Sequence, residues 1–245
     1  MTRTNGIDYD LAAGEYAAHR RIHFGVLDQL SGQVASSARH TALEVGCGTG
    51  NYICALVEQA ACAAYGLDAS AGMLAHARVR PERVAWLQGL SEQLPFDESR
   101  FDLVFSVDLI HHVTDKAAYY RQVARILKSG GWVCTVTDSA DIIRRREVLS
   151  GYFPETVESE LARYPRLAQL KGWMIQAGLV ALDVVTVQEP HEITSAQPFR
   201  DKAYSSLHLI TGEAWQAGVQ RLEHDLRQGP IRGMSRYACV WGRKW

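Results

Sequence analysis

Residues 43–51 read LEVGCGTGN, and the reading of the whole chain starts there. An apolar run, TALEV (41–45), has strand character and stops at Val45. Gly46-Cys47-Gly48-Thr49-Gly50 makes a tight turn, and a helix is expected from Asn51. Glycine has no Cβ, so such a turn adopts positive φ and lets a ligand approach the backbone closely. At the carboxyl end of a parallel strand, this is where α/β folds hold nucleotides. Asp68 closes the next apolar run, AAYGLD (63–68), and sets a carboxylate beside the glycine turn. A carboxylate there accepts hydrogen bonds from a ribose diol.

The spacing narrows the ligand. A dinucleotide fingerprint is G-x-G-x-x-G, which would need glycine where this chain has Asn51; the pattern present is G-x-G-x-G. There is no G-x-x-x-x-G-K-[ST] to cradle a triphosphate. A cofactor without phosphates suits the turn better than NAD, and an NAD-dependent oxidoreductase is the competing class.

Outward from this turn, RVAWLQG (83–89), FDLVFSV (101–107) and WVCTVTD (132–138) read as further strands. Their near-continuous apolarity fits central strands covered on both faces. Helices are expected at 51–58, 70–78 and 115–128, the last stopped by Ser129-Gly130-Gly131. Strand–helix alternation implies a parallel sheet with right-handed crossovers. Prolines concentrate after residue 140, and only ALDVVTVQ (181–188) and RYACVWG (236–242) read there as strands. Glu189 to about Ser206 reads as an insertion, followed by a helix at 212–226. No flexible linker divides the 245 residues, so a single domain is expected.

Composition removes several function classes. Lys+Arg 26 against Asp+Glu 27 gives a net charge of -1, with no overall attraction to nucleic acid or an anionic membrane. No apolar run reaches the roughly 18 residues of a membrane span, and the N-terminus has no signal-peptide core; a cytoplasmic protein is expected. Cys47, Cys54, Cys62, Cys134 and Cys239 contain no C-x-x-C pair. They read as reduced, mostly structural thiols, with no metal site.

LEVGCGTG, GLDASAGML, QGLSEQLPF, FDLVFS, HHV and ILKSGG together resemble the successive motifs of class I S-adenosylmethionine-dependent methyltransferases. They are most similar to the branch containing the ubiquinone/menaquinone-biosynthesis methyltransferases, over residues 9 to about 140. The resemblance implies a Rossmann-like, seven-stranded, mostly parallel sheet with helices on both faces. Its last strand would be antiparallel and inserted beside the sixth. It implies a single methyltransferase domain over 1–245: a helical lid at 1–30, a cofactor-binding core at 41–140, and a C-terminal half at 141–245 with an acceptor-pocket insertion near 189–230.

Carried over residue by residue, the resemblance places Gly46, Cys47, Gly48 and Gly50 against the methionine and ribose of S-adenosylmethionine. Glu44 organises the loop and the amino-acid end, and Asp68 holds the ribose hydroxyls. Ala69 and Met73 flank the adenine, with Gly89, Leu90 and Ser91 along its edge. Many relatives have an acid where this chain has Leu90, which leaves adenine recognition to backbone groups. The Ser106 carbonyl would face the methionine amine. Tyr16 and Arg20, in the pattern begun by Tyr9-Asp10 and Ala13, belong to an opening helix over the cofactor. The alternative for that segment is an ordinary amphipathic surface helix.

Methyl transfer aligns a nucleophile with an activated methyl group, and a base is required only where the nucleophile must lose a proton. His111 and His112, just beyond the fourth strand, are the base candidates, with His111 preferred; Asp108 is another. Each has an alternative as a packing or loop residue. His191, Tyr204, His208 and Trp215 are candidates for the acceptor wall, and the Arg144-Arg145-Arg146 run reads as a solvated helix face. The expected function is methylation of oxygen or nitrogen on a small, ring-bearing metabolite. C-methylation of a quinone-like ring and a non-catalytic S-adenosylmethionine-binding regulator are the alternatives. No nucleic-acid or membrane partner is expected.

Overall fold

The computed structural model describes residues 3–4, 7–8, 10, 13–14, 19, 21–34, 40–60, 62–80 and 83–245. Arg3–Thr4 and Ile7–Asp8 form a two-residue antiparallel ladder inside the stretch expected to be a helical lid. Tyr9, Tyr16 and Arg20 lie outside the described residues. Helix α1 (Phe24–Val34) buries Val26, Leu27, Leu30 and Val34, a stripe at helical spacing. Its first turn is satisfied from elsewhere: the Phe24 N–H donates to Glu189 Oε2 at 2.8 Å, and the His23 N–H donates to the Tyr52 hydroxyl at 3.0 Å.

From residue 41 the alternation follows the sequence closely: β1 (Thr41–Val45), α2 (Asn51–Gln59), β2 (Ala63–Asp68), α3 (Ala71–Arg78), β3 (Val84–Gln88), β4 (Phe101–Val107), α4 (Lys116–Ile126) and β5 (Leu127–Thr137). Local chemistry fixes the helix starts. The Ser70 hydroxyl accepts from the Met73 N–H at 3.1 Å, and Asp115 accepts from the Ala118 N–H at 2.8 Å. Each side chain thereby supplies the partner that a first-turn N–H lacks. β5 starts at Leu127, so Ser129-Gly130-Gly131 lies inside the strand rather than ending the helix.

The later half contains α5 (Ala140–Arg145), α6 (Leu149–Tyr152), α7 (Thr156–Arg163), α8 (Leu167–Gln176), β6 (Leu179–Ile193), α9 (Gln197–Arg200), a 3-10 turn at Ser205–His208, α10 (Gly212–Leu226) and β7 (Ile231–Lys244). Glu189–Ile193, expected in an insertion, continue β6: the β6–β7 hairpin pairs from Leu179↔Lys244 to Ile193↔Ile231. Pro190 is tolerated because β6 is the sheet's edge, where a missing N–H breaks no second ladder.

The seven strands run in the order β3-β2-β1-β4-β5-β7-β6. Pairs from β3 to β5 are parallel; β7 is antiparallel to both β5 and β6. The last strand is therefore inserted beside the sixth, a Rossmann-like arrangement. One face packs under α1 and α2 around Leu30, Ile53, Leu56 and Phe105. The other packs under α4 and α8 around Tyr119, Val123, Leu170 and Met174. A smaller cluster around Phe153, Phe199 and Leu222 supports the late helices. Strand order reverses between β1 and β4, and their following loops diverge to leave a crevice at the carboxyl ends. No helix among the described residues is long and apolar enough to cross a membrane.

Candidate active site

The crevice is a cavity whose wall includes Glu44, Gly46, Cys47, Gly48, Asp68, Ala69, Met73, Gly89 and Ser91 from the β1–β3 side. From the β4–β5–β7 side come Asp108, Leu109, His111, His112 and Tyr237, joined by Arg21, Tyr52, Tyr164 and Ser205.

The glycine turn is built by position. Gly46, Gly48 and Gly50 have φ of 70°, 52° and 79°, all left-handed. A Cβ on Gly46 would stand 2.6 Å from Leu109 Cδ1, and one on Gly50 would stand 2.4 Å from Trp86 Cη2. Gly48 differs: a Cβ there would meet nothing nearer than Met73 Sδ at 4.0 Å. It bares its backbone to the cavity, where a side chain would take up ligand space.

Two carboxylates brace this turn. Asp68 accepts from the Gly48 N–H at 2.7 Å on one oxygen and from the Ser70 N–H at 2.8 Å on the other. A carboxylate offers about four lone-pair sites, so capacity for a ribose diol remains. Burial raises its pKa, opposed by those backbone bonds. Glu44 accepts from the Ile53 N–H at 3.0 Å at the start of α2, and burial raises its pKa well above the usual glutamate value. Burial likewise pushes the Cys47 thiol up, away from nucleophilic use. Asp10 reaches the same end, taking hydrogen bonds from the Ser70 hydroxyl at 2.6 Å and the Gly72 N–H at 2.9 Å.

Three of the expected cofactor residues among those described, Gly50, Leu90 and Ser106, stand apart from the wall. Leu90 is 53% exposed, and its neighbours Gly89 and Ser91 form the lining instead. Ser106 is fully buried below the cavity, its hydroxyl accepting from Tyr119 at 3.2 Å.

On the opposite side, Asp108 directly follows β4 and has φ of 52°. Its N–H donates to the Val136 carbonyl at 3.1 Å, and its Oδ2 accepts from the Tyr237 hydroxyl at 2.9 Å. His111 is buried, stacked on the Tyr164 ring at 4.1 Å and 18°, and contacts His112 at 3.9 Å. Behind Tyr164 lies a charged layer. Arg146 pairs with Asp138 at 3.4 Å and with Glu160; Arg163 joins Glu160 at 2.9 Å and donates to Ser205 Oγ at 2.7 Å. Of the basic run, Arg144 and Arg145 are exposed as expected, whereas Arg146 turns inward to this layer.

Sequence reasoning missed Tyr164, Ser205 and Tyr237. Tyr237 sits in a stretch read only as a strand, and Tyr164 follows α7 with no periodic signal. Of the late wall candidates, His191 packs against Gly233, His208 bonds the Lys202 carbonyl, Tyr204 packs on Phe199, and Trp215 donates to the Phe199 carbonyl. Their neighbour Ser205 is the one that reaches the cavity.

Fold and site together define a class. The family described as “Methyltransferase domain” matches residues 43–135. An uncharacterized methyltransferase of Geobacillus thermodenitrificans is 32% identical over 158 residues, spanning 63% of this chain and 70% of that protein. A demethylmenaquinone methyltransferase of Lactiplantibacillus plantarum is 34% identical over 138 residues, 53% of this chain and 58% of the relative. Several other curated relatives are matched over 60% of their length or less. The crystal structure of a methyltransferase assigned to an antibiotic biosynthesis pathway of Anabaena variabilis superposes with a TM-score of 0.74 at 20% identity, covering 90% of this chain and 97% of that one. The chain belongs to the class I S-adenosylmethionine-dependent methyltransferase family. The open face at Gly48 and the Asp68 carboxylate fit that family's cofactor, which supplies an electrophilic sulfonium methyl group.

Proposed function

We propose that this protein transfers the methyl group of S-adenosylmethionine to oxygen or nitrogen of a small, ring-bearing metabolite. The observation that carries the reading is the pair of unlike cavity walls. Across the cavity from the glycine turn the lining includes Tyr164 and His111, stacked on each other, and Tyr237, with Asp108 among them. Stacked and edge-on rings hold a planar acceptor at low entropic cost. On this reading Glu44, Gly46, Cys47, Gly48, Gly50, Asp68, Ala69, Met73, Gly89 and Ser91 hold or shape the cofactor site. The wall of tyrosines and histidines orients the acceptor, and His111 or His112 takes its proton. Tight alignment of the reacting atoms supplies most of the acceleration.

The test is a panel of phenols, ring-bearing amines and quinols incubated with methyl-labelled S-adenosylmethionine, with products resolved by mass spectrometry. Label on a phenol oxygen or an amine nitrogen supports the reading. Label on ring carbon of a quinol supports the alternative, which the likeness to the demethylmenaquinone methyltransferase favours. Tight cofactor binding with no product from the panel or from cell extract would make the protein a binding regulator.

A further inference from the structure

We propose that the acceptor is an amine, bound as a cation by an Asp108–Tyr237 pair facing the glycine turn. The inference rests on the methyltransferase reading above and narrows its acceptor. Asp108 holds a left-handed backbone conformation that non-glycine residues rarely adopt. It is braced twice, through its N–H to Val136 and through its carboxylate from the Tyr237 hydroxyl. Strained, over-determined residues of this kind cluster where a side chain must be set in place. Tyr237 comes from the last strand and Asp108 directly follows the fourth, so two separated elements converge on one carboxylate.

The charge of the wall points the same way. Besides the deeply buried Glu44, the acidic side chains Asp68 and Asp108 line the cavity, against a single guanidinium, Arg21, among the described residues. Glu44 and Asp68 brace the cofactor side through Ile53, Gly48 and Ser70. Asp108 is the carboxylate of the acceptor side. In the layer behind, Asp138 and Glu160 offset Arg146 and Arg163, so no net positive charge reaches the wall from there. The same side of the cavity is lined by the aromatic residues His111, Tyr164 and Tyr237. A carboxylate beside aromatic faces is the chemistry that recognises an ammonium group.

The sign of the charge that develops separates amine from oxygen acceptors. A bound ammonium first gives one proton to an imidazole of His111 or His112. The nitrogen lone pair then forms the N–CH3 bond as the S–CH3 bond breaks, and that bond's electron pair stays on sulfur. Positive charge moves onto nitrogen, where the fixed Asp108 carboxylate stabilises it. A phenolate or carboxylate acceptor would bring negative charge against the same group.

The test uses binding. The protein saturated with S-adenosylhomocysteine is titrated calorimetrically with 2-phenylethylamine, 4-ethylphenol and 3-phenylpropanoate, three probes sharing one ring. The amine is expected to bind at least tenfold more tightly than either other probe. Asp108→Asn should weaken the amine at least tenfold and leave 3-phenylpropanoate unchanged or tighter. Tyr237→Phe, which keeps the carboxylate and removes its brace, should weaken the amine several-fold; thermal melts of both variants establish that they are folded. Equal or tighter binding of the phenol or the carboxylate overturns the proposal. So does an amine affinity altered less than twofold by Asp108→Asn, or failure of all three probes to bind. S-Adenosylhomocysteine affinity is read in the same experiment. If it binds and the amine does not, only the amine inference falls; if it does not bind, the methyltransferase reading falls too.

Discussion

Gly48→Ala separates a cofactor cradle from a mere turn. Gly48 has φ of 52°, and an alanine there takes the left-handed conformation at a cost of roughly 1–2 kcal/mol. No steric term adds to this, because the new methyl would meet nothing nearer than 4.0 Å. For a domain of this size each kcal/mol lowers Tm by about 2–4 °C, so a fall of roughly 2–8 °C is expected. The methyl stands in cavity space, where overpacking against a bound ligand costs about 1–3 kcal/mol. S-Adenosylhomocysteine affinity, measured by calorimetry below the melting range, should therefore drop roughly fivefold to 150-fold. Gly50→Ala supplies the contrast. Its Cβ would stand 2.4 Å from the Trp86 ring at φ of 79°, so stability should fall by about 2–5 kcal/mol. If Gly48→Ala loses the expected stability yet binds S-adenosylhomocysteine as tightly as the parent, the cradle argument is wrong.

Glu160→Ala removes the shared acid of Arg146 and Arg163; Arg146 keeps Asp138, while the buried Arg163 guanidinium loses its acid partner. A loss of about 3–5 kcal/mol is expected, and denaturant unfolding with less than 1 kcal/mol of change would show the layer to be structurally idle. Glu44→Gln tests burial at the glycine turn. The folded pKa of Glu44 is raised, so the folded parent binds more protons than the unfolded chain above the ordinary glutamate range, and its stability falls as pH rises through that window. The Tm of Glu44→Gln minus that of the parent should climb with pH from about 4 upward; a flat difference counts against the assignment.

The core of the fold was readable because central parallel strands are apolar on both faces and glycine punctuates the ligand turn. β1, β2 and β4 fall at the residues expected, as does the helix at Gly212–Leu226. The β6–β7 hairpin was legible only in its middle. Its outer pairs carry Glu189, Pro190 and Glu192, residues an edge strand tolerates and a sequence pattern reads as loop. The glycine-turn side of the cavity was legible for the same reason as the fold, since its residues lie in one contiguous turn and the carboxylate after it. The acceptor side was not. Tyr164, Ser205 and Tyr237 lie far apart in sequence and meet through sheet order and helix packing, which no local spacing records. Arg146 shows the limit most plainly: its run looks solvated, yet Asp138 and Glu160 draw it inward.

The central claim is methyl transfer to a small acceptor, and one measurement addresses it directly. The purified protein is incubated with methyl-tritiated S-adenosylmethionine and a cell extract, and the products are divided into low-mass, protein and nucleic-acid fractions. The account predicts new label in a low-mass compound other than the cofactor, lost in Gly48→Arg. Label appearing in protein or nucleic acid, or remaining wholly in the cofactor, would contradict it.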